Sequence, residues 1–88
     1  MVRNDDKDVI VGLWRFLLGI TGVSSKKIGQ HDRIDSILPQ RDRVHLAEYL
    51  ESQYGVTLDS DSEVYAAITR RELESAVLEE VRYAREKR

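Results

Sequence analysis

Hydrophobic residues recur along the chain with the spacing of α-helices. Apolar residues fill most positions from Val9 to Leu18, directly after an acidic cluster that suits a helix N-terminus. Toward the C-terminus, apolar residues recur at every third or fourth position and form one face of a helix. The members of this face are Leu73, Val77, Val81 and Ala84. The pattern predicts an all-α chain.

Turn and cap residues divide this pattern into four predicted helices. Pro39 suits the first position of the second helix, because its missing N–H is not needed there, and Gly55 suits the C-terminal cap. Between the first two helices we expect a long loop that isolated apolar residues from Val23 to Leu38 pin to the core. The predicted helices cover about residues 8–21, 39–54, 61–67 and 69–86. The prediction is one domain over residues 1–88, a bundle of three longer helices and one short helix.

Particular residues predict the helix caps, the apolar face of the second helix and the core. Ser60 with Glu63, and Thr69 with Glu72, have the spacing of capping boxes that open the third and fourth helices. The predicted apolar face of the second helix comprises Val44, Ala47, Leu50 and Tyr54, with Leu46 beside them. The predicted core comprises Trp14, Phe16, Leu17, Leu18, Leu46, Leu50, Tyr54 and Leu73.

The composition argues against several classes of function. The 14 basic and 16 acidic side chains are mixed and give a formal net charge of -2, so we expect no nucleic-acid partner. Arg70 and Arg71 are expected on a solvated helix, because glutamates are interleaved with the basic residues. The absence of cysteine excludes disulfides and thiol nucleophiles, and favours a cytoplasmic location. Since His31 and His45 lack further ligands at metal spacing and no catalytic motif occurs, we expect no metal, no catalytic residue and no enzyme.

The predicted first helix has more apolar residues than a single buried face requires. An acidic rather than basic segment precedes it, so we expect no secretory signal, and it is shorter than the roughly 20 residues that span a bilayer. Its apolar residues cover more than one side of the helix, so part of them should be exposed. This exposed part could contact a partner or form a homodimer, whereas a membrane-surface role is less favoured.

Two segments carry a resemblance to a known family. Residues 42–56, which end in Tyr54, Gly55 and Val56, are similar to the second helix of acyl and peptidyl carrier proteins. The segment from Ile68 to Leu73 looks like the start of the family's fourth helix. The resemblance covers about residues 9–81 and implies an acyl-carrier-protein-like four-helix bundle. It also implies a serine at the start of the second helix that carries a 4'-phosphopantetheine arm to partner enzymes.

This sequence departs from the family at the attachment site. An alignment without gaps from Tyr54 places Gln40 where the serine belongs, and glutamine has no hydroxyl to accept the arm. We therefore expect a carrier-like domain that binds protein partners, such as an acyl- or aminoacyl-transferring enzyme, without a cofactor. Arg41, His45 and Glu48 also differ from the family's usual residues on the recognition face. The expected partner-binding residues are Gln40, Arg41, Val44, His45 and Glu48.

An alternative attachment site lies about one helical turn earlier. Asp35, Ser36 and Ile37 closely resemble the family's attachment tripeptide. If Ser36 carried 4'-phosphopantetheine, the chain would be a genuine acyl or aminoacyl carrier protein. This alternative requires Pro39 inside the second helix, where proline is strongly disfavoured.

Overall fold

The computed structural model describes residues 4–86, which form four α-helices and one short 3-10 helix. The ends of the predicted domain, residues 1–3 and 87–88, lie outside the described residues. The α-helices are α1 (Asn4–Thr21), α2 (Gln40–Tyr54), α3 (Glu63–Ala66) and α4 (Arg70–Glu86), and the 3-10 helix is Ser25–Lys27. The prediction of an all-helical chain with four helices is confirmed for the described residues.

The long helix α1 begins earlier than the sequence pattern predicted. The acidic residues expected to precede it lie within the helix, where negative charge near the N-terminus is favourable. The carboxylate of Asp6 also accepts a hydrogen bond from Arg82 of α4, which ties the start of α1 to the end of α4. The helix ends before Gly22, which has a φ of 73° and donates its N–H to the Leu18 carbonyl.

The ends of the other helices are set by local caps. Gly55 has a φ of 69° and caps α2, as predicted, whereas Pro39 is the N-cap of α2 and not its first helical residue. At α4, the Thr69 hydroxyl and the Glu72 carboxylate accept each other's backbone N–H groups at 3.2 and 3.1 Å, which confirms the predicted capping box. The predicted box with Ser60 is wrong, because Ser62 caps α3.

The core lies among the helices, and α4 contacts each of the other three. Trp14, Leu17 and three other predicted core residues are buried: Leu46, Leu50 and Leu73. Phe16 and Tyr54 are half-buried against this core. Leu18 is 46% exposed, because it lies on the outer side of α1, so its prediction as core was wrong. Val44 was also predicted on the apolar face and is 48% exposed, since Arg43 takes the buried position beside it.

The connection between α1 and α2 packs closely on the core. Ile28, Ile34 and Leu38 are buried, as the prediction of a pinned loop requires. Residues 30–34 also pair with residues 68–71, where the Ile34 N–H donates to the Ile68 carbonyl at 2.7 Å. The N–H groups of Arg70 and Arg71 donate to carbonyls of this connection, so the first turn of α4 finds acceptors there. These hydrogen bonds fix the connection to the start of α4.

Candidate functional site

The five predicted partner-binding residues lie together on one exposed side of α2. Their positions follow the helical period, which brings residues four apart onto one side. All five are exposed, and we call this group the α2 surface: Gln40, Arg41, Val44, His45 and Glu48. It combines a cation, a carboxylate, an amide, an imidazole and one apolar side chain.

Gln40 occupies the first helical position of α2 and reaches α3. Its side-chain Nε2 donates a hydrogen bond to the carbonyl of Tyr65 at 2.8 Å. Arg43 donates to the same carbonyl through Nη1 at 2.9 Å. The residue that stands in place of the expected serine therefore fastens the start of α2 to α3.

Arg43 lies beneath the α2 surface and is 2% exposed. Its Nε donates to the Leu38 carbonyl at 2.9 Å, and Nη1 also reaches the Val64 carbonyl at 3.1 Å. Burial lowers the pKa of the guanidinium, although arginine stays charged at all ordinary pH values. The acceptors at Val64 and Tyr65 belong to α3, and the last carbonyls of a helix have no N–H partner within that helix. Arg43 therefore joins α3 and the segment before α2 in one polar junction.

Ser36 is exposed and lies outside α2. It belongs to a single turn closed by hydrogen bonds from the Ile37 and Leu38 N–H groups to the Ile34 carbonyl. Pro39 follows this turn and separates it from α2. The neighbouring Asp35 pairs with Arg33 at 2.7 Å, and this hydrogen-bonded guanidinium lowers the pKa of the Asp35 carboxyl. The structure thus places Ser36 before the helix on which the resemblance expects the attachment serine.

The turn that carries Ser36 covers a small apolar void. Ile34, Ile37 and Leu38 of the turn line it from one side, and Trp14 and Leu17 of α1 line it from the other. Its volume is about 10 Å³, which is the space for no more than one water molecule. An acyl chain could enter this void only if the turn moved away from α1.

His31 and His45 are both exposed and lie on different elements, the α1–α2 connection and α2. Among residues 4–86, no cluster of three or more His, Cys, Asp or Glu side chains has the arrangement of a metal site. Within the same residues, no helix combines the length and apolar character needed to cross a membrane.

The sequence predicted that the five residues of the α2 surface are exposed, but it did not predict the buried arginine beneath them. Arg43 was not singled out, because a charged residue on a helix is usually exposed. The signal that could have found it is its position between the apolar residues of α2: Leu46, Ala47 and Leu50 lie three, four and seven residues later. A cation on the buried side of a helix needs carbonyl acceptors, and only the tertiary structure shows which ones.

The chain was compared with protein-family models, with curated proteins and with solved structures. No family model, no curated protein and no solved structure matches it.

Proposed function

We propose that this chain is an acyl-carrier-protein-like domain that acts as a protein-interaction module through the α2 surface, without a phosphopantetheine arm. The hydrogen bond from Gln40 to the Tyr65 carbonyl carries this proposal. A carboxamide is not a nucleophile that can accept the arm. The position expected to bear the arm instead holds α2 against α3, and the surface around it stays exposed.

The order of the helices supports the carrier-like part of the proposal. A long α1, a long connection, an α2 that ends at Gly55, a short α3 and a long α4 follow one another as the resemblance implies. The left-handed backbone at Gly55 accounts for the glycine in the quoted Tyr54 to Val56 segment. The capping box at Thr69 similarly accounts for the polar residues at the start of α4.

The chemistry of the α2 surface suggests a partner with a mixed surface. Arg41 and Glu48 carry opposite charges and are both exposed, so they suit acidic and basic groups on the same partner. Val44, which is 48% exposed, supplies an apolar contact between them. An enzyme that transfers acyl or aminoacyl groups is the class of partner that the resemblance implies.

Site-specific crosslinking tests this proposal. A photoreactive residue is placed at Arg41 or Glu48, and at Ser75 or Glu79 on the exposed side of α4 as matched controls. In an extract of the cells that produce the protein, we expect one partner to crosslink from both α2 positions and not from α4. With the purified partner, reversing the charges of Arg41 and Glu48 together should weaken binding about tenfold, equal to about 1.4 kcal/mol. Equal crosslinking from α2 and α4, or unchanged affinity, would contradict the proposal.

The second candidate function is a genuine carrier modified at Ser36. The exposure of Ser36 directly after Asp35 favours it, although Pro39 separates both residues from α2. The test is the intact mass after incubation with coenzyme A and a permissive phosphopantetheinyl transferase. We expect no gain in mass. A gain of one phosphopantetheine that disappears in Ser36→Ala and persists in Ser60→Ala would establish the carrier function instead.

A further inference from the structure

A groove runs along the outer side of α1, on a different side of this helix from the residues that pack on α2. Its volume is about 260 Å³. Ile10, Trp14 and Leu18 of α1 line it, the 3-10 turn closes one side, and Arg70 of α4 lies at its edge. We call it the α1 groove.

The walls of the α1 groove are apolar and partly exposed. Val11 and Leu18 are each 46% exposed, although both are large aliphatic residues. They are seven residues apart, which is two helical turns, so they stand on the same side of α1. Trp14 lies between them, is 7% exposed and forms the floor together with the Arg70 guanidinium, which lies over its ring 4.9 Å from the ring centre. Two exposed aliphatic walls above a recessed tryptophan are typical of a site that receives an apolar side chain.

Three exposed cations belong to the segments that form the α1 groove. Arg15 lines the groove, and Lys26 and Lys27 lie in the 3-10 turn beside it. None of these three forms an ion pair with the side chains of residues 6–86, whereas Arg33 and Arg82 each bind a carboxylate.

The carboxylates near the groove do not cancel this positive charge. Glu74 is already held, because it accepts the Trp14 Nε1–H at 2.7 Å and pairs with Arg70 at 3.0 Å. Lys7 and Asp8 lie on the exposed side of α1, about two turns before Arg15, and their opposite charges cancel. The net charge of the chain is -2, so a local excess of cations here is not a consequence of the overall composition.

We propose that the α1 groove binds an acidic amphipathic helix of a partner protein. One large apolar side chain of that helix enters the groove above Trp14, and its flanking carboxylates pair with Arg15, Lys26 and Lys27. Charge complementarity supports this occupant, because Arg15, Lys26 and Lys27 are exposed and form no ion pair with a described carboxylate. This proposal does not depend on the α2 surface.

Trp14 allows a direct test, because it is the only tryptophan of the chain. The probe is a synthetic helical peptide with leucine along one face and glutamate elsewhere. One control peptide carries lysine in place of glutamate, and a second has the same composition with the leucines scattered. We expect saturable changes in Trp14 fluorescence with the acidic amphipathic peptide, and binding at least tenfold weaker with both controls. Added salt should weaken the binding, since the contacts pair exposed charges.

Variants separate the groove from the rest of the molecule. Leu18→Ser and the double change Lys26→Glu with Lys27→Glu should each weaken peptide binding at least tenfold. Ile68→Ser, which alters a similarly exposed aliphatic residue outside the α1 groove and the α2 surface, is the matched control and should leave binding unchanged. Circular dichroism checks that each variant folds, and exposed positions such as these are usually tolerated.

Several outcomes would overturn the proposal. Equal binding of the acidic and lysine peptides would remove the charge complementarity, and binding unaffected by Leu18→Ser would place the peptide elsewhere. A Trp14 response to phosphatidylglycerol vesicles without a response to the peptide would identify a membrane surface. Concentration-dependent dimerisation that Leu18→Ser abolishes would identify a second copy of the chain. No response to the acidic peptide would also reject the proposal.

Discussion

Among single residues, Arg43 makes an unusual contribution for a charged side chain. It is 2% exposed and has no carboxylate partner among the described residues, so its stabilising contacts are hydrogen bonds to three carbonyls. Arg43→Met keeps much of the stem and leaves these carbonyls without the guanidinium. We expect the free energy of unfolding to fall by about 2 to 3 kcal/mol.

Urea unfolding followed by circular dichroism measures this effect. Arg43→Lys should recover only part of the loss, because an ammonium cannot reach acceptors on both sides as the planar guanidinium does. Arg41→Met, which changes the same residue type on the exposed side of α2, should stay within about 0.5 kcal/mol of the wild type. A loss for Arg43→Met no larger than that for Arg41→Met would contradict the importance of the junction.

Glu80 gives a pH dependence of opposite sign to that of most carboxylates. Burial raises its pKa above the ordinary value of 4.5, and the nearby Asp59 and Glu79 raise it further. The folded state therefore binds the proton of Glu80 more tightly than the unfolded chain does. This contribution to stability is present below the unfolded pKa and is lost as the pH rises through the raised folded pKa.

Glu80→Gln should consequently stabilise the protein at pH 7. Because Glu80 is partly exposed and screened by solvent, we expect a gain of about 0.5 kcal/mol or less. The gain should vanish in unfolding experiments at about pH 3, where the carboxyl is protonated in both states. A gain that stayed constant from pH 3 to pH 7 would show that the amide acts through something other than charge.

The exposed side of α2 could be predicted from the sequence, whereas its buried side could be predicted only in part. The helical period alone places Arg41, His45 and Glu48 on one side, and these residues are exposed. Val44 and Arg43 have the opposite burial to that expected of their types. Arg43 is buried in place of Val44 because it finds hydrogen-bond acceptors at the carbonyls of Leu38 and of α3. The α3 carbonyls are distant in sequence, and Leu38 precedes α2, so the apolar pattern of α2 does not reveal them.

Among the helices, α1 and α2 pack closely through a glycine. A Cβ built on Gly12 would lie 2.9 Å from the Tyr49 hydroxyl oxygen, whereas a Cβ on Gly19 would meet nothing within 4 Å. Tyr49 has little room to move, because its ring stacks on Phe16 with centroids 4.4 Å apart. Both glycines lie in α1, so they form a matched pair.

We expect alanine to have opposite effects at these two positions. Gly19→Ala should raise the free energy of unfolding by about 0.5 to 1 kcal/mol through helix propensity. Gly12→Ala gains the same propensity but overpacks the helix contact, which costs about 1 to 3 kcal/mol, so we expect a net loss of about 1 kcal/mol. Thermal or urea unfolding measures both. In a Tyr49→Phe background, Gly12→Ala should become neutral or stabilising, and an unchanged loss there would reject the clash.

Helix ends were predictable where a cap is local in sequence. The left-handed glycine at position 55 and the box from Thr69 to Glu72 use residues within one turn of the helix end. The start of α1 was missed, because the contact of Asp6 with Arg82 joins residues at opposite ends of the chain. Likewise, Pro39 separates Ser36 from α2, and the turn that holds Ser36 depends on packing against α1.

For the molecule as a whole, the connection between α1 and α2 is the part that the sequence pattern explained least. Arg70 was expected on a solvated face, yet its Nη1 donates to the carbonyls of Ser25 and Ile28 at 2.8 and 2.6 Å. Its guanidinium also lies 4.9 Å from the centre of the Trp14 ring. The side chain of Arg70, which belongs to α4, thus contacts both the connection and Trp14 of α1.

Arg70→Met should therefore loosen this connection more than the rest of the fold. The thioether retains contact with Trp14 but loses both carbonyls and the ion pair with Glu74, so we expect a loss of about 2 kcal/mol in the free energy of unfolding. Under native conditions, the N–H of Ile34, which bonds to the Ile68 carbonyl, should exchange with solvent at least tenfold faster. The N–H of Gly55, which bonds to Glu51 at the end of α2, should change less, because no contact of Arg70 reaches it. Arg71→Met, on the exposed side of α4, is the control. If Arg70→Met accelerated the exchange of the Ile34 and Gly55 N–H groups equally, Arg70 would support the whole fold rather than the connection.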